Sequence, residues 1–347
     1  MRPLVVPFFI PHLGCPHRCV FCDQEKVAGA KGVLPTAGEM RQRIGEYAQG
    51  APGRELEAAF YGGTFTALAR SDQERLLSPL QPLLADGLLT SVRLSTRPDC
   101  VDAGTARFLK EMGVATVELG VQSMDREVLE LSGRGHGAAD VALAARALKG
   151  AGISVGIQLM PGLPGDTPER SLASLTQVMA LEPSFLRIYP TLVISGTELA
   201  RQYREGSYTP LSLPQAVSLC KRMLLAARRA TVPVIRMGLQ PTAELESPGV
   251  ILGGPYHPAF GQLVESELCF DLMSALLAGL PGGSRVSFAA PPGKVSDLVG
   301  QKRGNISRLS RLFGAEVAAV CEDAVLAKGA ISISWSGGVR EMNLLEL

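Results

Sequence analysis

The chain has 347 residues, a formal net charge of +1 at pH 7 and no run of 18 apolar residues. These values argue against a membrane-spanning helix and mean that any nucleic-acid contact must come from a local basic patch. The first residues, Met1-Arg2-Pro3-Leu4, are interrupted by prolines and precede no small-residue cleavage site, so we expect no signal peptide. Seven cysteines, three of them within eight residues, do not fit a secreted disulfide framework. We therefore predict a cytoplasmic protein with reduced thiols and no membrane partner.

Apolar segments of strand length alternate with segments of helix length over the first 240 residues. The predicted strands are 5–10, 55–61, 91–95, 116–121, 154–160, 185–189 and 232–237. The predicted helices are 37–49, 71–85, 102–112, 125–131, 138–151, 168–181 and 213–230. Strands that alternate with helices predict a parallel sheet with helices outside, whose chemistry lies at the carboxyl ends of the strands. We expect an α/β fold, with a partial or full (β/α) barrel over residues 1–240.

The pattern changes after residue 240. Residues 241–283 are rich in Gly and Pro and contain one predicted helix, 258–280, so we interpret them as a helical extension. Residues 284–347 have the pattern strand, helix, turn, helix, strand, strand, which predicts a small α+β domain.

Three cysteines, Cys15, Cys19 and Cys22, follow the first predicted strand with the spacing C-x3-C-x2-C. Three thiolates on a short loop can ligate three irons of a [4Fe–4S] cubane and leave the fourth iron open to another ligand. Structural zinc usually has four protein ligands, and His12 or His17 could complete such a set. The spacing favours the cluster, with a zinc site and chance buried cysteines as the alternatives.

The cysteine spacing, with aromatic Phe21 before the last cysteine, resembles the signature of the radical S-adenosylmethionine (radical SAM) superfamily. The resemblance continues in chain order through Tyr61-Gly62-Gly63-Thr64-Phe65-Thr66, Ser95-Thr96-Arg97-Pro98-Asp99, Glu118-Leu119-Gly120-Val121-Gln122-Ser123 and Arg134-Gly135-His136. This series is similar in particular to the radical SAM domain of the Elongator catalytic subunit, which modifies wobble uridines in tRNA. The resemblance covers about residues 1–280, and residues 1–240 are then a radical SAM barrel.

The resemblance implies an enzyme that uses a [4Fe–4S] cluster on the three cysteines to cleave S-adenosylmethionine (SAM) to a 5′-deoxyadenosyl radical. It implies that the cofactor is bound by Phe21, Gly62, Gly63, Thr64, Ser95, Glu118, Gln122 and Arg134. It also implies tRNA as the substrate and an electron donor such as ferredoxin or flavodoxin. Two features depart from the family: the acetyltransferase domain is absent, and Ser95 replaces a glutamate, whose contact Glu118 could supply.

Strand geometry gives an independent test of these residues, because side chains alternate between the two faces of a strand. Glu118 and Gln122 share one face of their strand and are expected in the barrel lumen, and a satisfied hydrogen bond in the core is the alternative role. Arg187 and Tyr189 likewise share a face, so Tyr189 is a candidate to contact the substrate or relay a radical, or else a structural tyrosine. For Arg134 the alternative is an exposed loop arginine.

The segment 299–306 lies between two predicted helices and resembles the Gly-x-x-Gly loop of the KH RNA-binding domain, which clamps a nucleic-acid backbone. The match is degenerate, because Gly300 fits the first glycine, Arg303 occupies the second position and Gly304 comes one place late. Lys302 lies between them, and all four residues are candidates for RNA binding. Residues 294–311 have a local net charge of +4, from Asp297 and the cations Lys294, Lys302, Arg303, Arg308 and Arg311.

Four functions stay open from the sequence. The first is a radical SAM enzyme acting on RNA, and the second is a radical SAM enzyme acting on a small molecule such as a tetrapyrrole. The third is a non-catalytic iron–sulfur protein that binds RNA, and the fourth is a zinc-binding structural module.

Overall fold

The computed structural model describes residues 3–28 and 33–347, which divide into two compact units. The first unit runs to Leu211 and also contains Val232–Tyr256, and the second contains Ser212–Thr231 and His257–Leu347. These limits do not coincide with the predicted boundaries at residues 240 and 283. No helix in the described ranges is long and apolar enough to cross a membrane.

The first unit contains strands and helices in alternation. Its strands are β1 Leu4–Ile10, β2 Leu56–Gly62, β3 Ser91–Thr96, β4 Val114–Gln122, β5 Ser154–Leu159, β6 Phe185–Ile188, β7 Val193–Ile194, β8 Val234–Met237 and β9 Ile251–Gly253. Its helices are α1 Gln24–Ala28, α2 Ala37–Gly50, α3 Arg70–Leu77, α4 Gln81–Ala85, α5 Ala103–Glu111, α6 Arg126–Leu131, α7 Ala138–Gly150, α8 Pro168–Met179 and α9 Glu198–Arg204. All seven predicted strands are present, and their ends differ from the prediction by two residues or fewer.

Seven strands form one curled parallel sheet in the order β1-β2-β3-β4-β5-β6-β8, which confirms the predicted α/β class and partial barrel. In β4 the apolar residues Val117, Leu119 and Val121 are fully buried, whereas Glu118 and Gln122 alternate with them. Because the carboxyl ends of parallel strands meet at one edge, the segments after β1, β2, β3 and β4 are brought together there.

The predicted helix 71–85 is interrupted. α3 ends at Leu77, a 3-10 turn covers Ser78–Leu80, and α4 then begins. Pro79 and Pro82 lie at these junctions, where the missing N–H group of proline cannot continue the helical hydrogen bonds. The sequence interpretation also missed α1, α9 and the antiparallel pair β7–β9, which are too short to give a periodic signal.

The second unit contains the helices α10 Leu213–Arg229, α11 Phe260–Leu277, α12 Val295–Val299 and α13 Gly304–Phe313. Its strands are β10 Arg285–Ala290, β11 Glu316–Glu322, β12 Ala330–Trp335 and β13 Gly338–Asn343, which form a sheet in the order β11-β10-β12-β13. The predicted order of elements after residue 284 is present, with one strand more than expected. α10 packs on α11 and therefore belongs to this unit, although in the sequence it continues the alternation of strands and helices of the barrel.

His136 precedes α7 and is buried, with 7% of its surface exposed. One ring nitrogen lies 3.2 Å from the Val121 carbonyl oxygen. Burial, with the charge of Arg134, lowers the pKa of His136 to about 4, and Asp99 opposes the shift. The imidazole is therefore neutral in the folded chain at pH 7.

This burial predicts an acid-sensitive fold. The unfolded chain binds a proton at His136 below pH 6.5 and the folded chain does not until about pH 4, so the free energy of unfolding falls as pH drops through this window. Between pH 7 and pH 5 the parent should lose about 2 kcal/mol more than His136→Gln, measured by urea unfolding. Equal losses in the two proteins would contradict a neutral buried imidazole.

Candidate cofactor site

A cavity of about 820 Å³ in the first unit is lined by residues from all seven strands of the sheet. It collects every residue that the sequence assigned to the metal, the cofactor or catalysis. Those lining residues are Cys15, Cys19, Phe21, Cys22, Gly62, Gly63, Thr64, Ser95, Glu118, Gln122, Arg134 and Tyr189. They are spread over 175 positions of the chain, so the fold itself brings them to one place. Their individual roles stay predictions.

The loop that carries the cysteines is fixed by backbone contact with the end of β2. Gly63 N–H donates to the Ile10 carbonyl at 2.9 Å, and Thr64 N–H donates to the Leu13 carbonyl at 2.8 Å. A Cβ atom on Gly63 would lie 2.0 Å from the Leu13 oxygen, and one on Gly14 would lie 2.3 Å from the Thr64 oxygen. Gly63 is one of the residues expected to bind SAM, and on its Cβ side the space is filled by the cysteine loop. Backbone contact with SAM stays a prediction.

Each of two cysteine sulfurs has a polar neighbour. The sulfur of Cys15 lies 3.3 Å from the Thr64 hydroxyl, and Arg134 Nη1 donates to the sulfur of Cys19 at 3.1 Å. Burial, with the charges of Cys19 and Cys15, raises the pKa of Cys22 to about 12. As thiolates the three sulfurs therefore repel one another, and bound positive charge is needed to hold them together.

The donor set suits a cubane cluster, because three cysteines on one loop can each bind a different iron. In the described ranges no group of three or more His, Cys, Asp or Glu side chains is arranged to hold one metal ion. The three thiolates leave the fourth iron of a cubane open to another ligand. A structural zinc would instead require four groups converging as a tetrahedron.

Arg134 is buried, not an exposed loop arginine. Only 5% of it is exposed, and its guanidinium contacts the Cys19 sulfur and the Gly120 carbonyl. Its own carbonyl accepts a hydrogen bond from Arg97, which is paired with Asp99 at 2.8 Å. Arg134 Nε has no hydrogen-bond partner among the described residues. A buried donor without a partner is costly, so this side chain is suited to a bound acceptor.

Glu118 is held by two arginines in the lumen. Its Oε1 accepts from Arg93 Nη1 and from Arg187 Nη2, both at 3.0 Å, and its Oε2 lies 2.8 Å from Arg187 Nε. Arg93 also pairs with Glu57 at 2.7 Å. Both oxygens of Glu118 are thus engaged, which is the core role that the sequence argument gave as the alternative. A contact with SAM in place of the glutamate missing at Ser95 would have to compete with these pairs.

Gln122 ends β4 in a left-handed conformation, with φ +69°, which is uncommon for a residue with a side chain. Its carbonyl accepts from Met160 N–H at 2.9 Å, and its Oε1 accepts from Gln158 Nε2 at 3.1 Å. The pairing of β4 with β5 shifts register between Gly120 and Gln122. Strain of this kind at a cavity wall is typical of functional sites.

Tyr189 follows β6, and its hydroxyl accepts a hydrogen bond from Arg187 Nη1 at 2.9 Å. Burial raises the pKa of Tyr189, so the phenol stays protonated at neutral pH. Sequence reasoning missed Arg93, which binds Glu118, and Arg236, which lines the cavity. The alternation of Arg93 with buried Val92 and Leu94 is the period-two signal that could have identified the first.

The candidate RNA-binding loop lies in the second unit, between α12 and α13. Lys302 and Arg303 are exposed and both adopt left-handed φ values, +51° and +59°, so Arg303 takes the conformation that the glycine of the motif would supply. Gly300 also has a positive φ, +71°. The loop therefore has the backbone turn that the degenerate sequence put in doubt.

The predicted positive patch is smaller than the sequence count. Arg308 forms two hydrogen bonds with Glu267, at 2.6 and 3.0 Å, and Lys294 pairs with Asp297 at 2.9 Å. Glu267 lies outside the segment over which the charge was counted, so the sequence alone could not reveal this compensation. In the described chain Lys302, Arg303 and Arg311 have no carboxylate partner.

Two family models match most of the first 270 residues of the chain. Residues 9–175 match the family model of the radical SAM superfamily, and residues 183–269 match that of the radical SAM C-terminal domain. A tRNA uridine(34) acetyltransferase of Dehalococcoides mccartyi is 29% identical over 233 residues, which are 57% of this chain and 50% of that protein. Elongator complex protein 3 of Bos taurus is 30% identical over 264 residues, 67% of this chain and 47% of that protein.

The chain thus spans about half the length of these curated relatives. The solved structure of archaeal Methanocaldococcus infernus Elp3 with an N-terminal deletion has a TM-score of 0.61 to this chain at 25% sequence identity. That match covers 76% of this chain and 62% of the other.

The packing at Gly63 predicts that even the smallest side chain disturbs the cysteine loop. Gly63→Ala should lower the iron bound per chain by more than half and cost about 2 kcal/mol of stability, because its Cβ overlaps the Leu13 carbonyl. Gly45→Ala in α2 is the control, because a Cβ there meets nothing within 4 Å. Iron assay and thermal melting measure both effects. Full iron content in Gly63→Ala would refute this account of the loop.

Proposed function

The chain belongs to the radical SAM superfamily of enzymes, and we propose that it holds a [4Fe–4S] cluster on Cys15, Cys19 and Cys22 and acts on RNA. The observation that carries the proposal is the convergence of the three cysteines with the motif residues of β2, β3 and β4 on one cavity. When bound, the cluster and SAM supply a 5′-deoxyadenosyl radical that abstracts hydrogen from a substrate.

The chain's own residues bind and orient these groups. Thr64 and Arg134 contact the Cys15 and Cys19 sulfurs, and in this role they stabilise thiolates for iron. The unpaired Nε of Arg134 and the strained Gln122 offer polar contacts to SAM. Phe21, 8% exposed, packs with Val128 and Leu163 and limits the access of water to the cysteines.

tRNA is the proposed substrate. Two observations support it: the relatives named for tRNA modification, and the exposed Lys302 and Arg303 in the loop before α13. Phosphate contacts from such a loop give affinity with little sequence information. The relatives' acetyl transfer is not part of the proposal, because their names describe proteins about twice the matched length. The proposed reductant is a ferredoxin or flavodoxin, and the proposed location is the cytoplasm.

The cluster is tested by replacing one ligand. The parent, reconstituted without air, should bind about four iron and four sulfide and release 5′-deoxyadenosine from SAM. Cys19→Ala should lose the cluster and this activity, measured by iron and sulfide assay and by chromatography of the products.

Cys220→Ala is the matched control, because Cys220 is buried in α10 and belongs to the other unit. It should keep both cluster and cleavage. Normal iron in Cys19→Ala, or zinc without sulfide in the parent, would overturn the proposed cofactor.

The RNA proposal is tested at the loop. Lys302→Asp with Arg303→Asp should weaken tRNA binding at least tenfold and make its salt dependence shallower by about two counterions, because two phosphate contacts are lost. Gel-shift titration at two salt concentrations measures both quantities. The control changes the exposed Arg222 and Lys328 to Asp, with the same change in net charge. Equal affinity of the loop variant and the control would exclude this loop as the RNA contact.

A further inference from the structure

Three arginines and two glutamates from β2, β3, β4, β6 and β8 form a charged group at the cavity wall and directly behind it. Glu118 is shared by Arg93 and Arg187, and Glu57 binds Arg93. The third arginine, Arg236, lines the same cavity from β8. One positive charge is therefore left over in this group.

Arg236 has no carboxylate within ion-pair distance in the described residues. Its Nε donates to the Gly238 carbonyl at 3.1 Å, and that hydrogen bond uses one of its five N–H groups. Its two terminal nitrogens keep a fork of donors that fits the two oxygens of a carboxylate or phosphate.

The neighbour of Arg236 in the sheet makes the surplus charge stronger. Arg187 and Arg236 are register partners on β6 and β8, so their Cα atoms lie side by side on adjacent parallel strands. Like charges in such positions repel unless an anion lies between or near them. Glu118 compensates Arg187, and no described carboxylate does so for Arg236.

Arg236 belongs to a different strand of the sheet from the residues assigned to SAM. Those residues belong to β2, β3, β4 and the loops beside them, whereas Arg236 lies three strands beyond β4 in the order β4-β5-β6-β8. Three strand spacings amount to about 14 Å along the sheet. The cavity, about 820 Å³, lies toward the upper end of the volumes of ligand sites. It has room for a second group beside a cofactor.

Tyr189 lines the same cavity as Arg187 and Arg236. Its hydroxyl oxygen accepts from Arg187, so its own proton is free to be donated. Burial raises the pKa of this phenol and keeps that proton in place, while the charges of Arg187 and Arg236 oppose the shift.

We propose that Arg236, with the Tyr189 hydroxyl, binds an oxyanion of the molecule from which the radical abstracts hydrogen, in the part of the cavity lined by β6 and β8. The inference rests on the proposed function, since it names the substrate chemistry of the same cavity. The oxyanion is either the phosphate of a nucleotide or the carboxylate of a small organic acid. Arg236 is then a specificity-determining residue that positions the substrate against the cofactor.

The test measures anion binding by the anaerobically reconstituted full chain with calorimetric titration. The probes are uridine 5′-monophosphate, with uridine as its phosphate-free reference, and succinate. The parent should bind one of the two anions, and Arg236→Gln should weaken that binding about 10- to 100-fold through the loss of a charged hydrogen-bond donor. Arg236→Lys, which keeps the charge but not the fork, should fall between them. Arg41→Gln, on the exposed face of α2, is the matched control and should bind like the parent.

Each outcome decides the inference. Binding of uridine 5′-monophosphate but not uridine identifies a phosphate source, and binding of succinate identifies a carboxylate. No binding of either anion by the parent overturns the inference, as does equal binding by the parent and by Arg236→Gln and Arg236→Lys proteins that melt at the parent's temperature. An equal loss in Arg41→Gln also overturns it.

SAM cleavage by the parent is measured in the same preparation and reports on the proposed function alone. A parent that cleaves SAM while its anion affinity is independent of Arg236 refutes only the oxyanion site. A parent that binds the anion through Arg236 without cleaving SAM refutes only the proposed function.

Discussion

The site depends on one backbone contact, the packing of the cysteine loop against the end of β2. Gly14 and Gly63 each face a carbonyl oxygen at a distance where a Cβ atom could not fit. The hydrogen bonds from Gly63 and Thr64 to Ile10 and Leu13 continue the pairing of β1 with β2 beyond the strands themselves. The sheet therefore helps to place the three cysteines, through the backbone of the loop that carries them.

The buried charges of the lumen are stabilised by pairing with one another. Arg93, Arg187, Glu57 and Glu118 lie where water is scarce, and each ion is tolerable only because its partners satisfy it. A network of this kind is rigid, since moving one side chain leaves the others unpaired. It fixes the wall on which Tyr189 and Arg236 lie. Because the network is rigid, its carboxylates cannot move to neutralise the guanidinium of Arg236, which stays available to a bound anion.

The sequence predicted the barrel well, because its strands and helices have clear periods and its motifs come in chain order. Period two also placed Glu118, Gln122, Arg187 and Tyr189 on the lumen face. What it could not supply are contacts between distant positions. The pairing of Glu118 with arginines from two other strands, the neutralisation of Arg308 by Glu267 and the overlap at Gly63 all require the three-dimensional register. Short elements such as α1 and β7 escaped as well, because two to five residues carry no periodicity.

The backbone conformation of the loop before α13 lowers the stability of the second unit. Lys302 and Arg303 are consecutive residues with side chains in the left-handed region, where each costs about 1–2 kcal/mol relative to glycine. Glycine at either position would relax the backbone and stabilise the second unit, and it would remove a cation at the same time. Selection for thermal stability and selection for a charged loop therefore act in opposite directions at these two positions. A laboratory search for more heat-resistant variants of this chain would therefore select glycine at these two positions early. Each such substitution would remove a positive charge from the surface of the loop.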